Sequence, residues 1–104
     1  MSDWTAAAKL AELPEAGSLA VATSGLSLLL VRSPAGLFAI ENRCTHAQQE
    51  LAGGRVRGFH IFCPAHGVRF DLRTGCPSGD LTRTPVRTFP VKAEGGTVWV
   101  DLGT

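Results

Sequence analysis

The chain of 104 residues lacks long apolar runs, has almost no net charge and contains only three cysteines. Its longest apolar stretch, residues 26–31, is interrupted by Ser27 and is far shorter than the ~20 residues a helix needs to cross a bilayer. A membrane-spanning helix is therefore not expected. Ten Lys plus Arg face nine Asp plus Glu, so a formal charge of +1 gives no global pull toward nucleic acid or an acidic membrane. Residues 1–13 show neither a basic start running into an apolar stretch nor a twin-arginine pair, which makes the cytoplasm the expected location. No repeat and no low-complexity segment is visible. An odd number of cysteines cannot close a complete disulfide framework, and in a reducing compartment it points to metal binding or thiol reactivity.

What is present is an ordinary globular balance, 44% hydrophobic and 18% charged. The length leaves room for a single domain over residues 1–104 and for no second catalytic one. Gly and Pro cut the chain into strand-length apolar and β-branched runs at about 18–23, 26–33, 37–41, 55–62, 86–92 and 97–102. Ser24-Gly25, Pro34-Ala35-Gly36, Gly53-Gly54, Thr74-Gly75 and Gly95-Gly96 supply the turns between antiparallel strands. The pattern predicts an all-β protein, a small antiparallel sandwich or barrel. Residues 5–13 are rich in helix formers and could make two turns before Pro14. A helix that short is marginal in water, however, so pairing could equally make it an edge strand.

The residues that carry chemistry are Cys44-Thr45-His46 and, further along, Cys63-Pro64-Ala65-His66-Gly67. Each segment offers one thiolate and one imidazole. Structural zinc sites usually keep like ligands together, a cysteine pair in one element and a histidine pair in the next. Here the pairs are mixed. Two mixed loops facing each other can place both thiolates on one metal and both imidazoles on a second, the ligand arrangement of a Rieske [2Fe-2S] centre. Two neutral imidazoles in place of two thiolates make the oxidised centre less negative and easier to reduce. Rieske centres accordingly span roughly −150 to +300 mV, against about −400 mV for plant-type all-cysteine clusters.

At these residues the chain resembles the Rieske-type ferredoxins of bacterial aromatic-ring dioxygenase and related oxygenase systems. The likeness rests on CTH at 44–46, CPAHG at 63–67, RFDLRTG at 69–75 and the stretch from Thr84 to Leu102. It implies the Rieske fold, with a two-loop cluster-binding subdomain at about 43–76 forming its tip. It also implies a [2Fe-2S] cluster held by Cys44, His46, Cys63 and His66. The expected work is one-electron carriage, with no bond-making chemistry, from a flavin-dependent ferredoxin reductase to a terminal Rieske non-haem iron oxygenase, by a monomer. Respiratory-chain Rieske proteins add a disulfide between the loops, where this chain has Gln49 and Ala65. They also place hydroxyl donors where it has Val68 and Phe70. Lacking these, the centre should sit toward the low-potential end, below zero. Two other classes of function are weighed beside this one: the Rieske-like small subunit of a multi-subunit reductase of the nitrite reductase type, and an iron or redox sensor that works by cluster loss.

Several residues have a bland reading beside a sharp one. Cys76 reads as a small turn residue more readily than as a redox thiol. His60 alternates with Phe59 and Ile61 and reads as structural or surface-facing. Thr45, Pro64 and Gly67 shape the loops, while Ala47, Pro64 and Ala65 give them small apolar tips. Arginines at 43, 55, 57, 69 and 73 form either a docking patch for an acidic partner or merely solvated strand faces. Trp4 and Trp99 are expected to serve packing.

Overall fold

The computed structural model describes residues 4–23, 25–45, 49–64, 67–79 and 82–103. Its strands are β1 (Trp4–Lys9), β2 (Gly17–Thr23), β3 (Leu26–Ser33), β4 (Gly36–Glu41), β5 (Val56–Arg57), β6 (His60–Phe62), β7 (Arg69–Asp71), β8 (Pro77–Ser78), β9 (Thr88–Phe89), β10 (Val91–Glu94) and β11 (Thr97–Asp101). They make three antiparallel sheets, ordered β1-β11-β10, β2-β3-β4-β9 and β5-β6-β7-β8. The all-β expectation holds.

The middle sheet is the spine. Along β3 the residues Leu28, Leu29, Leu30 and Val31 are all fully buried, because successive side chains point to opposite faces and both faces are covered. Leu28 and Leu30 pack with Ala39, Phe89, Val98 and Val100 against the β1-β11-β10 sheet. Leu29 and Val31 pack with Ile40, Ile61, Phe70 and Leu72 against the β5–β8 sheet. Two cores thus share one strand, and each large side chain contributes roughly 1.5–3 kcal/mol of burial.

Within residues 5–13, the part up to Lys9 is an edge strand. β1 pairs with β11 from Trp4 opposite Asp101 to Lys9 opposite Thr97, and a single 3-10 turn, Leu10–Glu12, follows. The start of that turn is pinned where Leu10 N–H donates to Gly96 O at 2.9 Å. Pairing with β11 satisfies the backbone that a two-turn helix would leave half open, so helix propensity loses.

Two expected strands are divided instead of continuous. The run at 55–62 folds back at Gly58-Phe59 into the β5–β6 hairpin, with Gly58 O accepting the Ser33 hydroxyl at 2.8 Å. The run at 86–92 breaks at Pro90, which has no N–H for a ladder. β9 pairs with β4, and β10 crosses to β11. Proline here marks the point where the chain changes sheets. Trp4 is 36% exposed with Lys92 Nζ, from the far strand of its sheet, 4.5 Å from its ring centre, so it lies on the outer face of that sheet and is no core residue; Trp99 is half-buried.

Gly75 welds the third sheet to the segment before β9. Its φ is +80°, and a Cβ at this position would lie 2.0 Å from Val86 O. Only glycine allows that approach, which brings Val86 N–H to Gly75 O at 2.9 Å.

Candidate metal centre

Two loops rise from these sheets. The first leaves β4 through Asn42 and Arg43 to reach Cys44, and the second is the tip of the β6–β7 hairpin, from Cys63 to Val68. They are closed in the same way. Cys44 N–H donates to Gln49 O at 2.7 Å, and Cys63 N–H donates to Val68 O at 2.7 Å. The second closure is tightened by Gly67 N–H donating to Cys63 O at 2.9 Å. In sequence, each closure encloses one histidine; His46 and His66, with Ala47 and Ala65, lie outside the described residues.

Cys44 and Cys63 are 1% and 2% exposed and belong to the same apolar cluster, with Leu51, Ile61, Val68 and Phe70. No disulfide joins the cysteines of the described residues. Both cysteines thus stand in one buried apolar cluster at the entrances of two matching loops. Soft thiolates in such a place suit iron-sulfur or zinc, and the apolar surroundings limit solvent access. Val68 and Phe70, buried at 3% and 0%, bring no hydroxyl to it.

The scaffold around the first loop depends on Asn42, which the sequence reading missed. Asn42 is 5% exposed. Its backbone N–H donates to Ser27 O at 2.9 Å, its Nδ2 donates to Ser27 Oγ at 3.3 Å, and its Oδ1 accepts Ala52 N–H at 2.9 Å. One side chain therefore ties β3 to the far end of the first loop and closes the stretch 42–52 at its base. A polar residue two positions before a ligand candidate was the available signal. A second tie is Thr45, whose Oγ1 donates to Thr84 O at 2.5 Å and lies 3.2 Å from Thr82 Oγ1. This fastens the segment 82–87 across the loop.

RFDLRTG is a turn. Asp71 N–H donates to Cys76 O at 2.9 Å and Gly75 N–H to Asp71 O at 2.7 Å. Arg73 grips the Asp71 carboxylate through Nε (3.1 Å) and Nη2 (2.9 Å) and donates its backbone N–H to Oδ1 at 2.8 Å. That side-chain grip holds the Asp71 pKa down to about 2. The Arg73 guanidinium also lies 4.0 Å from the centre of the Phe59 ring, which meets Phe38 edge-on with centroids 6.1 Å apart. This staple joins the third sheet to β4. Cys76 is exposed just before β8, its N–H donating to Thr74 Oγ1 at 3.2 Å. His60 is half-buried, opposite Arg57 and Asp71 on neighbouring strands.

The comparisons with known proteins agree with this geometry. The family model "Rieske [2Fe-2S] domain" matches residues 3–90. The ferredoxin component of the naphthalene 1,2-dioxygenase system of Pseudomonas aeruginosa is 36% identical over 99 residues, 95% of each chain. Among solved structures, the ferredoxin of carbazole 1,9a-dioxygenase from Nocardioides aromaticivorans IC177 superposes with a TM-score of 0.87 at 32% identity, covering 96% of this chain and 98% of that one. A chain from the complex of reduced oxygenase and oxidised ferredoxin in carbazole 1,9a-dioxygenase superposes at 0.84 with 28% identity, covering 94% and 92%.

Proposed function

The chain belongs to the Rieske [2Fe-2S] domain family, and from that premise we infer that it is the electron-carrying ferredoxin component of an aromatic-ring oxygenase system. It moves electrons and makes no bonds of its own. Its cofactor is a Rieske-type [2Fe-2S] cluster, which when bound supplies a reversible one-electron site. In this reading Cys44 and Cys63 hold one iron and His46 and His66 the other. The holding unit is the stretch at about 43–76 of one domain. The observation that carries the reading is the matched closure of the two loops, whose two cysteines are buried in one apolar cluster.

The chain's own residues then have separable tasks. Asn42 and Thr45 fix the first loop, the Cys63–Val68 closure fixes the second, and Val68 and Phe70 exclude water without adding hydroxyl donors. The lack of hydroxyls at Val68 and Phe70 supports a midpoint potential below zero. The partners are a flavin-dependent ferredoxin reductase on the donor side and a terminal oxygenase on the acceptor side, met by a cytoplasmic monomer. The ferredoxin–oxygenase complex known for a relative supports the second of these.

The test is electron paramagnetic resonance of the reduced protein together with assay of acid-labile sulfide. Mixed ligation lowers the average g value below that of an all-cysteine cluster, and substitution of His46 or His66 should abolish that signal. A colourless protein holding one zinc ion and no labile sulfide would refute the proposal. A midpoint of several hundred positive millivolts would refute the low-potential part alone.

A further inference from the structure

The charges of this chain are unevenly divided. Residues 42–87 carry seven arginines against three acids, whereas the remainder carries three bases against six acids, so the overall +1 conceals a strongly basic end. The structure sorts those arginines. Arg73 is neutralised by Asp71 and stacked on Phe59. Arg55, Arg57 and Arg69 are exposed, and no acid among the described residues pairs with them.

Strand register places these three on one face. Phe62 is flanked by Arg69 on β7 and by Arg55, whose carbonyl accepts Phe62 N–H at 2.9 Å; Arg57 stands two residues along, opposite His60. The alternate residues Val56, Ile61 and Phe70 face the core with the two buried cysteines. At ~4.8 Å per strand step and ~3.4 Å per residue, the guanidinium-bearing positions lie within ~12 Å of one another. The cross-strand neighbours of Arg69, Phe62 and Ser78, carry no counter-charge, and Asp71, on the same face opposite His60, is already held by Arg73. Like charges so close repel, which an isolated fold gains nothing by keeping. Phe62 and Arg69 also frame the second loop directly, since the next residues inward are Cys63 and Val68.

We propose that Arg55, Arg57 and Arg69, on the outer face of the β5–β8 sheet, form the docking surface for a redox partner protein that presents carboxylates around its electron-transfer site. This rests on the electron-carrier reading and adds the sign of the partner. Encounter is then steered by attraction at the loop end, while the acidic opposite end turns away from the partner's surface.

The experiment is stopped-flow oxidation of the dithionite-reduced holoprotein by two haem proteins, the acidic soluble domain of cytochrome b5 and the basic cytochrome c. In each, one electron passes from the reduced protein to ferric haem. With the acidic acceptor the second-order rate should fall about 10-fold from low salt to roughly 0.5 M salt, and with the basic acceptor it should rise. The triple variant R55Q/R57Q/R69Q should lose most of the salt dependence with the acidic acceptor. R55E/R57E/R69E should reverse its sign, and K9Q/K92Q, which removes charge from the other end, should leave it unchanged. Visible spectra and circular dichroism confirm that each variant is folded and loaded. Salt dependence that is absent, or that survives the triple variant, overturns the docking surface yet leaves the carrier reading intact. Failure of the wild type to reduce either acceptor strikes at the carrier reading itself. Retardation of duplex DNA that needs the same arginines, without preference for the acidic acceptor, would assign the face to a polyanion and overturn the proposal.

Discussion

Replacing Asn42 by alanine should open the first loop while leaving the remote core in place. The side chain is 5% exposed and makes two hydrogen bonds that alanine cannot, at 2.9 Å from Ala52 N–H and 3.3 Å to Ser27 Oγ. The bond between its own backbone N–H and Ser27 O survives the change. A hydrogen bond contributes about 0.5–1.5 kcal/mol net, and a buried group left unpaired costs roughly 1–3 kcal/mol. The longer bond counts near the lower limit and half-buried Ala52 regains some water, so the clamp is worth about 1.5–2.5 kcal/mol. If the cluster leaves through opening of residues 42–52, that free energy acts wholly on the opening step. At a factor of ten for each ~1.4 kcal/mol, release should accelerate about 10- to 60-fold. The assay is decay of the visible absorbance in excess iron chelator, far below the melting temperature. N42D, which keeps the acceptor for Ala52 N–H, should fall between wild type and N42A. The control is Leu13→Ala in the other core, which costs roughly 2–5 kcal/mol of global stability without touching the loop. If L13A speeds release as much as N42A, the cluster escapes through global unfolding and the local clamp is refuted.

Gly75→Ala must displace Val86 as well as adopt a left-handed conformation, so it should lose more than ~3 kcal/mol and lower the melting temperature by over ~12 °C. Gly79→Ala, with φ +102° and open space around its Cβ, should incur the conformational cost alone; equal thermal shifts in the two variants would contradict the clash. Because the folded-state pKa of Asp71 is lowered to about 2 from 3.8, its pairing with Arg73 stabilises the fold above the unfolded value and fades as pH falls toward 2. The advantage of wild type over D71N in urea unfolding should be ~1 kcal/mol or less at neutral pH, since the arginine arm is half exposed, and should shrink below pH ~4. Growth of that advantage on acidification would reverse the assignment. Cys76→Ser should leave the visible and paramagnetic spectra unchanged, whereas serine at Cys44 or Cys63 should abolish them; loss of the signal in C76S would make the turn thiol part of the centre.

Much of this protein is written locally. Turn residues at short intervals and β-branched runs between them determine an antiparallel β protein, because turn and strand preferences act over a few neighbouring residues. The mixed Cys/His pairs at 44–46 and 63–66 likewise set the kind of centre to expect, since the donor atoms and their spacing are covalent properties of the chain. What pairs with what is another matter. Trp4–Lys9 form an edge strand because β11 arrives from the far end of the sequence to satisfy their backbone. The Leu28–Val31 run is buried on both sides because two different sheets cover β3. Pro90 divides one apparent strand between two sheets, and Gly58 folds another into a hairpin. Nothing near Asn42 in sequence announces Ser27 and Ala52 as its partners, nor does the list of arginines reveal that Arg73 is neutralised while Arg55, Arg57 and Arg69 share one open face. Those facts come from contacts between distant segments, and only the folded chain brings such segments within hydrogen-bonding and Coulombic range.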